Sequence, residues 1–585
     1  MKIQVKYIFR PSIVLAFLLN CIFTNCIAQE DFGTGLLYDE AIFEREVEMA
    51  PTISNEGRRA GDLPRWFSLR PYTPIPKHQG KINSCVGWAM GYGALTTQHA
   101  YRKGRTDRKK ITANAFSAMY IYNQVKAGSC NAGAYVNRAA DLLKKNGDCK
   151  SSAFDYPYSD CDREPEEKVI EKSKQFAIKD FVAIFNAKSS PKTKVTRTKR
   201  SIAEGKPVVI GMQILESFKK VSKDNPIWAP QKDQDKKLGG HALAVIGYND
   251  SLGIFEIMNS WGNQWGDRGF FFMSYKDFSE QVFQGIQLVL PEEKLTPKRK
   301  KMLVQRMEKA ASEKSAAQLE EKELESKIKK AQQLADQNPT PEKQKEIQLE
   351  IENTQQQIQK NIVRKKVAEL ELEQTEERLI SLAGDFEVRV PITDEFGTAQ
   401  QDEDGNFLFE KIETTRNGNF YTLNKKDWEE GDMFQVIANN IRQDRYVYVF
   451  SLDGNNKSEI HFPRNERFKS KGEKSEIVGA GESALISHSG AEIIIPGNDR
   501  VLTRENLLED NICVLYSFNK IENFGALVQK IQEAEGAFEE RVNVLLQDLL
   551  IPSSFIEFGT NQMSCKTETT GLGSIIPIIL KIQNE

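Results

Sequence analysis

The chain changes its rhythm of apolar and polar positions several times, and each change reads as a boundary. Positions 29–60 are mixed and polar without a sustained period, which predicts an N-terminal arm. From Leu63 to about Leu290, apolar segments of both periods alternate with glycine and aromatic residues, as in a globular domain of about 61–290. Within it SCVGWAMGYGALTTQHAYR (84–102) has a helical pattern despite three glycines. Each would cost about 1 kcal/mol against alanine in an exposed helix, so the pattern predicts a buried helix with close neighbours. HALAVIGYND (241–250) and GIFEIMNSWG (253–262) predict two strands joined through Gly/Asn/Asp turn chemistry.

Between about 295 and 381 Lys, Glu and Gln dominate, with no glycine and no aromatic residue. Apolar residues recur three and four apart at Leu324, Ile328, Ala331 and Leu334, then at Ile358 and Ile362. That spacing predicts a coiled-coil helical hairpin. Thr296-Pro297 and Thr340-Pro341 supply a start signal for each helix, and two helices of about 40 residues would each reach about 60 Å. Plain solvated linker helices are the alternative. After 381 short strands return: DFEVRVPI, GNFLFEKI, FQVIAN, RYVYVFSLDG and AEIIIP. A helix-like stretch, FGALVQKIQEAEGAFEERVNVLLQDLL, and a strand-like SIIPIILKIQ close a β-rich domain over 382–585.

With 585 residues the chain exceeds one hydrophobic core, and two to four domains are expected. Lys and Arg total 80 against 82 for Asp and Glu, a balance that gives no reason to expect nucleic acid as a partner. At the N-terminus Lys2, Lys6 and Arg10 precede the apolar run IVLAFLLNCIF. This is the layout of a signal peptide over 1–28, cleaved after Ala28, and the run is short for a bilayer span. Phe23, Thr24 and Asn25 make a poor lipid-attachment signal before Cys26. Export to a periplasmic, extracellular or cell-surface location is therefore expected, with no membrane span after cleavage. An oxidising compartment permits disulfides among the remaining cysteines.

Cys85 stands at the start of the glycine-containing helix, where the positive helix end and unpaired N–H groups favour a thiolate. Gln79, six residues earlier, could join the Cys85 N–H in stabilising an oxyanion. His241 opens one apolar strand and Asn259 follows another. If these strands are neighbours, the asparagine amide holds one imidazole nitrogen while the other faces the thiol. Trp261 could then shield the Asn–His hydrogen bond from water.

Through these motifs the region 61–290 resembles the papain family of cysteine proteases. NSWGNQWGDRGFF is the most specific stretch, supported by SCNAG (129–133) and DYPY (155–158). The resemblance implies Cys85 as nucleophile, His241 as base, Asn259 as its orienter and Gln79 in the oxyanion hole, with Trp261, Gly133 and Gly240 in support. Cys85 and His241 lie 156 positions apart, close to the family's spacing of about 130–150. It also implies an α+β fold of two subdomains with the cleft between them, and peptide-bond hydrolysis through an acyl-enzyme; no recognisable insertion occludes one end of the cleft, which favours an endopeptidase. No cofactor or metal is expected. The family's tryptophan after the nucleophile is Val86 here, and its cysteine three positions before is Ile82. The usual bridge to Cys130 therefore cannot form, leaving one pair open among Cys130, Cys149 and Cys161.

The fold class expected overall is multidomain: a papain-like α+β domain, a helical hairpin, and a β-rich C-terminal domain whose core, about 430–510, resembles the bacterial DUF4384 domain. His461 and His488 are expected at the surface, and Asp453 to Asn455 in a hairpin turn. The arm at 29–60 is short for an inhibitory propeptide, so little autoinhibition is expected from it. The partner implied is a peptide or protein substrate, with 295–381 offering a surface for self-association or partner helices. A scaffold that has lost activity, which Val86 and the large C-terminal half would suit, and a transpeptidase with the same triad are the competing functions.

Overall fold

The structure, a computed structural model, describes residues 33–53, 63–154, 160–230, 235–292, 297–337, 339–379, 382–395, 397–402, 407–464, 481–496, 501–504, 508–567 and 573–583. The expected signal peptide and DYPY (155–158) lie outside these residues.

The N-terminal unit is α+β. Its strands are β1 (Leu36–Leu37), β2 (Trp66–Ser68), β3 (Ala134–Tyr135), β4 (Asp180–Phe185), β5 (Val208–Leu215), β6 (Lys237–Asn249), β7 (Ile254–Met258), β8 (Phe270–Ser274) and β9 (Val282–Val289). The main sheet runs β4-β9-β5-β6-β7-β8, with β2 added on β6, while β1 pairs in parallel with β3. Against this sheet packs the glycine-containing helix, which is α-helical over Cys85–Gly87, π-helical over Trp88–Leu95 and α-helical over Thr96–Arg102. A Cβ on Gly87 would stand 2.2 Å from Ala118 O, so close backbone packing explains how this helix tolerates glycine. One core cluster gathers the sheet side, including Val208, Leu243 and Phe271. A second gathers the helical side, including Val86, Met90 and Tyr120.

Two helices, Pro297–Ala335 and Pro341–Leu379, form an antiparallel pair joined by the ion pairs Arg364–Glu313 (2.7 Å) and Lys365–Glu321 (2.7 Å). Both begin at the prolines that signalled starts. Most of their buried positions repeat every seven residues: Ala310, Ala317, Leu324 and Ala331 on one helix, Thr354, Asn361, Ala368 and Thr375 on the other, where Val363 is buried as well. Leu334, expected on the seam, is instead 53% exposed. The apolar reading found Leu324 and Ala331 of this seam and missed the alanines, threonines and Asn361 that fill the rest of it.

The C-terminal unit is a sandwich of two sheets. In one, Leu382–Pro391 lies between Met433–Ile441 and Met563–Thr567; in the other, Asp510–Ser517 lies between Arg445–Leu452 and Ile575–Ile582. Period-two alternation sends Val447 and Val449 into the core shared with Phe386, Val436 and Ile578. Tyr448 and Phe450 face the opposite way, onto Phe524 (ring centroids 4.7 and 5.9 Å). The helix-like stretch after 524 is two helices, Phe524–Glu533 and Phe538–Leu546, parted where Gly536 takes φ +103°. Asp453 Oδ1 accepts from the N–H groups of Asn455 and Lys457 in the turn between Arg445–Leu452 and Ser458–Phe462. The two histidines expected at the surface are buried: His461 Nε2 meets Ser451 Oγ at 2.8 Å, and His488 faces Glu204 of the N-terminal unit at 3.7 Å. Among the described residues no helix is long and apolar enough to cross a membrane.

Candidate active site

Cys85 is the first residue of its helix, and His241 lies on β6 opposite Met212 of β5. Asn259 follows the end of β7, the other neighbour of β6. Pairing of these strands brings His241 Nε2 to 2.9 Å from Asn259 Oδ1. Ala242, next to the histidine, donates its N–H to Cys85 Sγ at 3.4 Å. The sulfur is thereby held at the residue next to the histidine, across the junction of helix and sheet.

Asn259 Oδ1 also accepts the Ser260 N–H (2.8 Å). As an acceptor it selects the Nε2–H tautomer of a neutral imidazole, which leaves Nδ1 with a free lone pair. Nδ1 is buried and makes no hydrogen bond. The Trp261 ring lies over the histidine with centroids 5.3 Å apart. Behind them Phe218 touches Trp261 and Trp265, each at 5.0 Å between centroids, forming a wall that keeps water from the Asn–His bond.

Gln79 is buried beside this pair, and its Oε1 accepts from Ser260 Oγ at 2.6 Å. Its amide nitrogen, expected to face an oxyanion, donates instead to Ile82 O (3.0 Å) and Thr34 O (3.4 Å). The second acceptor belongs to the arm. Gly33 O accepts from the Trp261 indole (3.1 Å), Gly35 N donates to Gly240 O (3.2 Å), and Gly35 O accepts from Ala134 N (2.9 Å). Leu36 packs in the same buried cluster as Cys85, whose side chain is fully buried. Residues 33–37 thus lie across the candidate site from Trp261 to Tyr135. The expectation of little autoinhibition rested on arm length; short as it is, the arm reaches the site with residues 33–37, and Leu36 packs with the buried Cys85. Gly133 and Gly240 admit the arm closely, since a Cβ on them would stand 2.3 Å from Gly35 O and 2.5 Å from Leu36 O.

The model of the papain family of cysteine proteases matches residues 67–284. This region is a papain-like cysteine protease domain. An uncharacterized peptidase C1-like protein of Acanthamoeba polyphaga mimivirus is 26% identical over 37% of this chain and 70% of its own length. Cysteine proteinase 3 of Entamoeba histolytica is 25% identical over 39% of this chain and 68% of its own. Xylellain, a cysteine protease from Xylella fastidiosa, superposes with a TM-score of 0.37 at 21% identity, over 45% of this chain and 97% of that one.

In the protease domain Cys130 and Cys161 form a disulfide, while Cys149 is free and buried. Reading the sequence alone missed Phe218, Ser260 and the arm residues 33–37. The signal for the arm was present in Gly33-Thr34-Gly35, two small residues able to approach backbone closely, ahead of the apolar pair Leu36-Leu37.

Under the arm the electrostatics are those of a resting site. Burial pushes the Cys85 thiol up to about 12, against weaker lowering by backbone N–H groups including those of Ala242 and Leu36. The thiolate expected from the helix end is therefore suppressed. Burial also lowers His241 from 6.5 to about 4, opposed by the Asn259 hydrogen bond. A depressed folded-state value makes the neutral imidazole the form that fits the closed cleft. Its contribution is present above about 6.5 and is lost as pH falls towards about 4. Acidification through this window will favour the open arm by at most about tenfold per pH unit from this one proton. Hydrogen exchange at the Leu36 amide, followed from pH 7 to 4 and corrected for intrinsic exchange, will show that increase.

Proposed function

We propose that this chain is an exported cysteine endopeptidase held latent by its own arm, hydrolysing peptide bonds with Cys85 as nucleophile, His241 as base and Asn259 as orienter. The observation that carries the reading is the 2.9 Å His241–Asn259 bond, with Nδ1 left open beside a sulfur held by the next residue, Ala242. Once the arm leaves, Nδ1 takes the thiol proton and the thiolate attacks the substrate carbonyl. The Cys85 N–H and the Gln79 amide, released from Thr34 O, then stabilise the oxyanion. The imidazolium returns its proton to the leaving amine, and water hydrolyses the acyl-enzyme. A groove that takes an extended chain running past Cys85 from Trp261 to Tyr135 supports an endopeptidase. The Cys130–Cys161 disulfide supports an oxidising, exported location.

The competing reading, a silent scaffold, draws on the complete burial of Cys85. Intact and peptide mass spectrometry separates the two. After limited trimming of the arm, an epoxide that requires an activated thiolate will add once, at Cys85, and added peptides will be cleaved at internal bonds. Folded protein with a trimmed arm, a free Cys85 and no adduct would favour the scaffold.

A further inference from the structure

The β-sandwich is far in sequence from the active site, yet it holds the segment that covers it. After Leu37 the arm forms a helix, Glu40–Glu46, whose Asp39 caps it by accepting the Ile42 N–H (2.9 Å). Phe43 of this helix and Val47 beyond it are buried in the cluster that contains Leu36 and Cys85. The chain then runs extended between the two folded units. On one side Ala50 N donates to Ala183 O (2.8 Å) and Ala183 N to Glu48 O (3.0 Å), which adds the arm to β4, the edge strand of the protease sheet. On the other side Met49 N donates to Gly481 O (3.1 Å) and Ser483 N to Met49 O (2.9 Å). Met49 is therefore a middle strand residue shared by two domains, bridged in parallel to Ala183 and Glu482.

Side chains from the sandwich close over the same segment. Ser483 Oγ donates to Glu48 Oε2 (2.8 Å), Lys520 pairs with the other Glu48 oxygen, and Thr52 N donates to Glu482 Oε1 (3.2 Å). Arg464 fixes Glu482 from behind (3.0 Å). Ile53 is buried in the sandwich core, whereas Ala50 belongs to the cluster that joins the protease sheet to the outer face of the sandwich. From the protease side Arg197 donates to Ala50 O (3.2 Å) and Pro51 O (3.1 Å). The sandwich is itself docked on β4, where Tyr446 donates to Asp180 Oδ2 (2.8 Å) and Lys206 to Asp444 Oδ1 (2.8 Å) beside it.

We infer that the C-terminal β-sandwich is an inhibitory clasp: it holds residues 48–53 and so keeps residues 33–37 in the active-site cleft. The inference rests on the catalytic reading above and adds to it a function for the C-terminal domain. Only one short helix separates the clasped strand from the covering residues, and that helix shares their apolar cluster. Loosening the clasp removes one end of the arm's support, and the arm leaves the cleft more often.

The test uses the full chain and the rate of Cys85 labelling by the epoxide. Two clasp variants alter different contacts, Ser483→Pro on the sandwich and the pair Glu48→Ala with Lys520→Ala. Leu36→Asp opens the cleft directly and serves as the reference. Both clasp variants are expected to raise the labelling rate at least tenfold, together with hydrogen exchange at residues 34–37. Added to Leu36→Asp, which has already freed the site, they will leave peptide cleavage unchanged. Rapid labelling of Leu36→Asp with unchanged labelling in two folded clasp variants would overturn the clasp and leave the catalytic reading standing. No labelling of folded Leu36→Asp would sink the catalytic reading, and the clasp with it.

Discussion

Replacing Leu36 by Asp will uncover Cys85 and raise its labelling rate by about 30-fold or more. Leu36 is buried against the helical-side core, in the cluster that contains Cys85. Burying a leucine side chain contributes about 2–3 kcal/mol, and a carboxylate placed there would add an unpaired buried charge. Since about 1.4 kcal/mol is a factor of ten, losing 2–3 kcal/mol raises the open population by about 30- to 150-fold. Labelling through a rapidly formed open state follows that population. The rest of the arm keeps its anchors, among them Glu46 to Asn137 (2.8 Å) and Arg138 (3.0 Å), so the variant tests the covering residues rather than the whole segment. Labelling equal to that of the parent chain would show that the arm does not gate the sulfur.

In the Leu36→Asp background, replacing His241 by Ala will lower kcat/KM for a peptide substrate by about a thousandfold or more and abolish the epoxide adduct. The open background matters, because in the covered chain a loss of activity could reflect a closed cleft. In the proposed mechanism His241 supplies the base at Nδ1, which makes no hydrogen bond, next to the residue whose N–H holds the Cys85 sulfur. Asn259→Ala in the same background should do less, since it removes the 2.9 Å bond that fixes the ring and not the base itself. The order of effects, His241 above Asn259, separates a proton-transfer role from an orienting one. Equal cleavage by the His241 variant would rule out this base.

Much of the architecture was legible from local signals. Helix starts at Pro297 and Pro341 follow from the proline's missing N–H and fixed φ, which suit the first turn. The strands that carry His241 and precede Asn259 followed from apolar runs and turn residues, and antiparallel pairing then fixed how near the two side chains stand. The seam of the helical pair was only half legible. Its period was visible, but Ala310, Ala317, Thr354 and Asn361 are buried because two helices approach closely there, and no hydropathy pattern marks them.

By itself, then, the sequence determined the helix and strand content, the separation into a protease-like region, a helical pair and a β-rich region, and which residues could carry thiol chemistry. Those features depend on neighbours a few positions apart, through backbone periodicity, capping and turn preference. Only the tertiary structure decided that residues 33–37 cover Cys85, that Gln79 gives its amide to Thr34, and that His461 and His488 are buried. These rest on contacts between distant positions, as when Glu48 meets Ser483 and Lys520. Such a contact forms where the packing of two folded units leaves a slot for an extended strand, and chain order carries no local record of that slot.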